Sequence, residues 1–153
     1  MPVQRSIALA VFHPAHPGKV LVVKRPPWDA DLPDIWGLPA VSMLPGESLE
    51  TAVRRCAITK LGRMVHAQGV LGEGWQEGPS GAHKLTLWAC GTEEDTFSLP
   101  PPRPEGGSTL YTAWKWAPPS LLAEGARRGS LCCRLFLAWD AGSTLLQNRR
   151  PSL

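Results

Sequence analysis

Five short blocks of strand-forming residues and one longer stripe of helical spacing set the pattern of apolar positions along this chain. Ser6 to Phe12 is a run of strand formers that ends in a His-Pro-Ala-His-Pro-Gly turn, and Lys19 to Lys24 is a continuous apolar strand of the kind buried on both faces. The turn between them predicts a hairpin. Arg25 to Ile35 carries prolines and three aspartates, Asp29, Asp31 and Asp34, and reads as a loop at the lip of a site. From Leu44 the chain turns at Pro45-Gly46 and enters a helix, with Ser48 as N-cap, Glu47 and Glu50 at its positive end and Gly62 as C-cap. Leu49, Ala52, Val53, Cys56, Ala57 and Leu61 form its apolar stripe.

Beyond the helix, Met64 to Leu71 reads as a strand interrupted by Gly69, and Gly72 to Gly81 as a turn-rich connection. Lys84 to Cys90 alternates, with Leu85, Leu87 and Ala89 on one side and Thr86, Trp88 and Cys90 on the other. Gly91 to Gly107, with Glu93-Glu94-Asp95 and a run of three prolines, reads as an exposed, mobile loop. Thr109 to Trp116 alternates again; Pro118 and Pro119 open a helix at Ser120 to Glu124, Gly129 closes it, and Leu131 to Ala138 is a last apolar helix. The order β-β-loop-α-β-β-β-α-α predicts an α/β sandwich, a mixed sheet between helices, as one domain over 1–141 with a flexible tail at 142–153.

Composition narrows the field. At 153 residues the chain has room for one cored domain, and 43% apolar with 19% charged residues is the balance of an ordinary globular protein. The net charge of +3 is spread over pairs such as Arg54-Arg55 and Arg127-Arg128, so no specific nucleic-acid binding is expected. No run reaches the length of a membrane span, and the first apolar run is too short for a secretory signal. Cys56, Cys90, Cys132 and Cys133 show no CxxC spacing and read as reduced thiols in a cytoplasmic protein.

The stretch Trp36 to Gly62 resembles the box of the Nudix hydrolases. With Glu47 as the first glutamate of that box, Arg55 falls on its arginine and Gly62 on its closing glycine; Trp36-Gly37-Leu38-Pro39 and Pro45-Gly46-Glu47-Ser48 match its flanks. Element order extends the resemblance over about Ser6 to Asp140, and it implies a Nudix-like α/β/α sandwich. The contents depart from the box. Val41 stands at its opening glycine, and Cys56, Thr59 and Lys60 stand where the family has glutamates. In the family those glutamates share one helix face and hold divalent cations against a diphosphate. A thiol, a hydroxyl and an ammonium do not suit magnesium; a like-charge contact at ~4 Å costs on the order of 4 kcal/mol in a medium of dielectric about 20.

The resemblance therefore implies a degenerate box: a protein that binds a nucleoside diphosphate-linked or other organic phosphate, with magnesium-dependent hydrolysis weak or lost. An active hydrolase using loop carboxylates and a non-catalytic interaction module are the alternatives. No metal ligand is assigned, and magnesium or manganese is a cofactor only under the hydrolase reading. Lys60 is expected to supply the positive charge a metal would bring. Arg55, Trp28, Trp36 and Trp75 join it as ligand-binding candidates, and Glu47, Glu93 and Glu94 are candidate catalytic groups. The resemblance also implies that Glu47 and Arg55 form a structural ion pair, and a homodimer is common in the family.

Overall fold

The computed structural model describes residues 3–79, 81–101 and 110–149. Two sheets form its middle layer. The first has the order β4-β1-β6-β5, built from β1 (Gln4–Phe12), β4 (Ala40–Ser42), β5 (His66–Gly78) and β6 (Gly81–Gly91). The second has the order β3-β2-β7, from β2 (Val20–Lys24), β3 (Trp36–Gly37) and β7 (Ala113–Ala117). Strands β1 and β6 run parallel, with Ser6 opposite Leu85 and Ala8 opposite Leu87, while the other pairings are antiparallel. The first sheet is therefore mixed and the second antiparallel.

Period-two alternation sends side chains of one strand into two separate cores. Ile7, Leu9, Val11, Leu21 and Val23 pack against α1 (Leu49–Cys56), which contributes Ala52, Val53 and Cys56. Ala8, Ala10, Val20, Val22, Leu85 and Leu87 face the other way. They meet Leu122, Cys133 and Phe136 from a 3₁₀ turn at Pro119–Leu122 and from α3 (Leu131–Arg149); α2 (Ala123–Arg127) lies between these two. Helices on both faces of the sheet layer make an α/β/α sandwich, as the element order predicts.

The hairpin expected between Ser6–Phe12 and Lys19–Lys24 does not form. The turn exists, with His16 N donating to His13 O at 3.0 Å, but β1 and β2 lie in different sheets. Residues 7–11 and 20–23 are fully buried, and each strand takes the centre of its own sheet with partners on both edges.

Nor is Gly72 to Gly81 a connection: β5 continues to Gly78. Of its glycines, Gly74 serves close approach rather than turning. A Cβ at Gly74 would lie 3.0 Å from Leu135 Cδ2 and 3.1 Å from Leu131 Cδ1, so the bare backbone lets α3 settle on the strand. Gly125 acts alike in α2, where a Cβ would lie 2.9 Å from Cys133 Sγ. The last helix continues beyond Ala138 and beyond residue 141 to Arg149. Of the loop expected at Gly91 to Gly107, residues 92–101 carry no regular structure, and Phe97 pins it to the core; 102–109 lie outside the described residues, as do 150–153.

Candidate functional site

Ser48 caps α1 as expected, its Oγ accepting from Thr51 N at 3.2 Å. The helix does not stay α-helical to Gly62. Ala57–Leu61 winds as a π turn, ending at Gly62 in the left-handed region with φ of 67°. A Cβ there would lie 2.5 Å from Ser98 O, so both backbone conformation and packing demand glycine.

Residues 56, 59 and 60, which α-helical spacing would put on one face, do not share one environment: Cys56 and Lys60 are buried and Thr59 is exposed. Cys56 is in the core, and burial pushes its thiol up to about 12. Thr59 is exposed, its hydroxyl donating to Arg55 O at 2.7 Å. Of the three, Lys60 alone lines the cavity described below, at 3% exposure, with Nζ 5.6 Å from the Tyr111 ring centroid. Its amine is held below the ordinary 10.5, chiefly by burial, with the charges of Arg25 and Arg55 acting the same way and Cys56 opposing.

Glu47 and Arg55 form the implied ion pair. Arg55 Nε donates to Oε2 at 2.8 Å and Nη2 to Oε1 at 2.9 Å, and Nη2 also reaches Ser42 O at 2.7 Å. Leu44 N donates to the same carboxylate at 3.0 Å, which ties the turn to the helix and to β4. The Arg55 hydrogen bonds and charge, helped by Leu44, outweigh burial and hold Glu47 below the ordinary carboxylate range.

A cavity of about 710 Å³ opens where β1 and β6 begin. Gln4 and Ser6 of β1, residues 40–42 of β4, His83 and Leu85 of β6, the end of β5 and the start of α3 form its walls. Arg25, Lys60 and Arg128 bring positive charge to it, against the carboxylates of Asp31 and Glu77. His83 Nε2 lies 2.7 Å from Ser6 Oγ. Asp29 fixes the Arg25 end of the loop: its Oδ2 accepts from Arg25 Nε at 3.1 Å, and its Oδ1 accepts from Asp31 N and Leu32 N, both at 2.9 Å. Burial alone would raise that carboxyl, but these donors bring it below 3.8.

The remaining candidates lie elsewhere. Trp28 and Trp75 are exposed at 46% and 59%. Trp36 packs on the second core, with Lys24 Nζ 5.8 Å and Lys115 Nζ 4.6 Å from its ring centroid. Glu93 lines a smaller hollow with His13 and His66, and Glu94 pairs with Arg63 at 3.6 Å. Among the described residues no group of three or more His, Cys, Asp or Glu side chains is placed to hold a metal ion. The α1–π segment itself fits magnesium poorly: it offers a protonated thiol turned into the core, a hydroxyl facing solvent and a cation. Arg25, His83, Arg128 and Ser6 are the cavity groups that sequence reasoning missed. Only folding gathers them, through the parallel β1–β6 pairing and the docking of α3. Among the described residues no helix is long and apolar enough to cross a membrane.

Comparison with known proteins places this geometry. No protein-family model matches the sequence, and no curated protein matches it. Solved structures do. The MutT protein from Methanosarcina mazei Go1 superimposes with a TM-score of 0.70 at 16% identity, over 97% of each chain. The E. coli ORF135 protein gives 0.68 at 18% identity, over 99% of this chain and 96% of that one. The NUDIX domain of Shewanella oneidensis NrtR, solved in complex with ADP ribose, gives 0.64 at 20% identity, over 95% and 90%. The chain has the Nudix fold.

Proposed function

We propose that this Nudix-fold protein binds a nucleoside diphosphate-linked or other organic phosphate in the 710 Å³ cavity, with ordinary magnesium-dependent hydrolysis weak or lost. The observation that carries the reading is Lys60: a 97% buried ammonium-bearing side chain, on the helix where the family resemblance puts metal-binding glutamates, lines the cavity instead. Phosphate oxygens would accept from Lys60 and from the planar fork of Arg25, whose edge Asp29 holds in place. Burial that disfavours the Lys60 charge becomes an asset once an anion arrives, because Coulomb attraction is strong where water is scarce. The degenerate box is part of the same proposal. ADP ribose in the NrtR domain supports a ligand of this class on this fold.

Hydrolysis with displaced carboxylates is the second reading, and Asp31 and Glu77 favour it, since both line the cavity. One experiment separates the readings. The pure protein is incubated with magnesium or manganese and a panel of nucleoside diphosphate derivatives and prenyl diphosphates, following phosphate release and thermal shift together. A shift without turnover is the expected result. Turnover supports the hydrolase, and silence in both assays contradicts the binding function.

A further inference from the structure

Lys60 and Arg25 occupy only one end of the cavity. Lys60 neighbours Tyr111, whose hydroxyl accepts from Ala40 N of β4 at 3.1 Å, and β4 is one edge of the first sheet. From there the floor crosses β1 and β6 to the opposite edge, where Gln76 and Glu77 of β5 line it. Three strand spacings, about 14 Å, separate the two edges. A phosphate at Lys60 therefore leaves most of the floor to the organic half of its ligand.

Strand register sets the chemistry of that floor. Gln4 and Ser6 alternate onto the same face of β1 as Ala8 and Ala10; Gln4 lies opposite His83, and His83 opposite Gln76. Farther along the strands this face is apolar, with Ala8 and Leu87 in the second core, but at the cavity it is a row of hydrogen-bonding side chains. Ser6 is 7% exposed, its Oγ 2.7 Å from His83 Nε2. Gln4 donates one amide N–H to Ser42 Oγ at 3.3 Å and Gln76 one to Gly129 O at 3.5 Å, so each keeps an N–H and an oxygen for a ligand. Glu77 and Arg128, beside Gly129, bring opposite charges to this end.

We propose that the organic half of the ligand is a sugar or polyol, its phosphate at Lys60 and Arg25 and its hydroxyls over Ser6, His83, Gln76 and Glu77; this rests on the phosphate-binding function proposed above and narrows its ligand class. A sugar hydroxyl both donates and accepts, as do serine and the amides, and a carboxylate accepts from it. A nucleobase draws affinity chiefly from stacking on an aromatic face. Among the described residues lining the cavity none is Phe, Tyr or Trp, and residues 80 and 102–109 contain none. Trp75, next to Gln76, turns to the other face of the sheet, its ring centroid 5.6 Å from Lys84 Nζ.

Calorimetry in EDTA on the full chain compares inorganic phosphate, ribose 5-phosphate and AMP, with pyrophosphate alongside. Phosphate against ribose 5-phosphate isolates the sugar, and ribose 5-phosphate against AMP isolates the base. Ribose 5-phosphate should bind about tenfold tighter than phosphate, the worth of one good hydrogen bond, and AMP no tighter than ribose 5-phosphate. AMP binding tighter than ribose 5-phosphate overturns the sugar class, as does ribose 5-phosphate binding no tighter than phosphate. Gln76→Ala and Glu77→Gln, at exposed positions, should each lower the ratio of ribose 5-phosphate to phosphate affinity. A ratio unmoved in both variants, with the wild-type melting temperature kept, overturns the placement of the hydroxyls. Pyrophosphate separates the two claims. Its binding without any preference for the sugar phosphate leaves the phosphate function standing and removes the sugar class; binding of neither pyrophosphate nor ribose 5-phosphate removes both.

Discussion

Replacing Lys60 by methionine removes one charge from the cavity while keeping most of the side chain's length and bulk. Two effects of opposite sign follow. A hydrogen bond to a charged group contributes about 1.5–3 kcal/mol, and each 1.4 kcal/mol is tenfold in affinity, so pyrophosphate binding in EDTA should weaken by about 10- to 150-fold. Stability of the unliganded protein should move little or rise, since Lys60 is 3% exposed and its charged form is disfavoured by burial. Exchanging a buried charge for an apolar isostere is often neutral or favourable. The lost contact with the Tyr111 ring, at 5.6 Å, offsets about 0.5–2 kcal/mol of that gain.

The proton linkage can be read in the same variant. A cation whose folded pKa is lowered binds its proton more tightly in the unfolded chain, so wild-type stability gains with rising pH between that lowered value and 10.5. Cys56 and Cys90, raised to about 12, act in the opposite direction above 9.0; Cys90 is common to both proteins, while the Lys60 charge draws Cys56 down. The difference between wild type and Lys60→Met therefore reports the lysine together with its coupling to Cys56. Urea denaturation across alkaline pH, with calorimetry at neutral pH, is the assay. Binding unchanged within twofold, or a stability loss above about 2 kcal/mol, would refute the reasoning and make Lys60 a structural strut.

Further outcomes follow from the surroundings of this lysine. Glu47→Ala leaves the Arg55 guanidinium without its buried acceptor and should cost about 3 kcal/mol in denaturant unfolding. The Glu47 contribution is present above the ordinary 4.5 and is lost as pH falls through the lowered folded value, so the acid limb of the stability curve should flatten in this variant. Gly62→Ala should lower stability by about 2–4 kcal/mol in the same assay, from the left-handed backbone and a Cβ 2.5 Å from Ser98 O. Cys56→Glu, which puts back a carboxylate at one position of the box, should destabilise the fold rather than recruit manganese, because residue 56 is fully buried in the first core. A thermal shift upward with manganese in that variant would contradict this.

The layers and most elements were legible in the sequence because strand alternation, the Ser48 cap and the Gly62 stop are local signals. The pairing of β1 was not, since two fully apolar strands joined by a tight turn carry no information on which sheet each will enter. Glycine misled in β5: Gly72 and Gly74 look like turn residues, and only the position of α3 reveals that Gly74 makes room for Leu131 and Leu135. At the site, the frame from Glu47 to Gly62 located the helix and its ion pair. It could not give the surroundings of residues 56 to 60, because a π turn has no simple sequence signal and only the packed neighbours decide that Cys56 enters the core while Lys60 lines the cavity. Arg25, His83 and Arg128 are far apart in the chain, and nothing local marks them as neighbours of one cavity.

The central claim is that side-chain cations, with Lys60 foremost, hold the phosphate without a divalent ion. Calorimetric titration of wild-type protein with pyrophosphate, once in EDTA and once in saturating magnesium, tests it most directly. The account predicts measurable binding in EDTA that magnesium does not strengthen; binding that appears only when magnesium is present would contradict it.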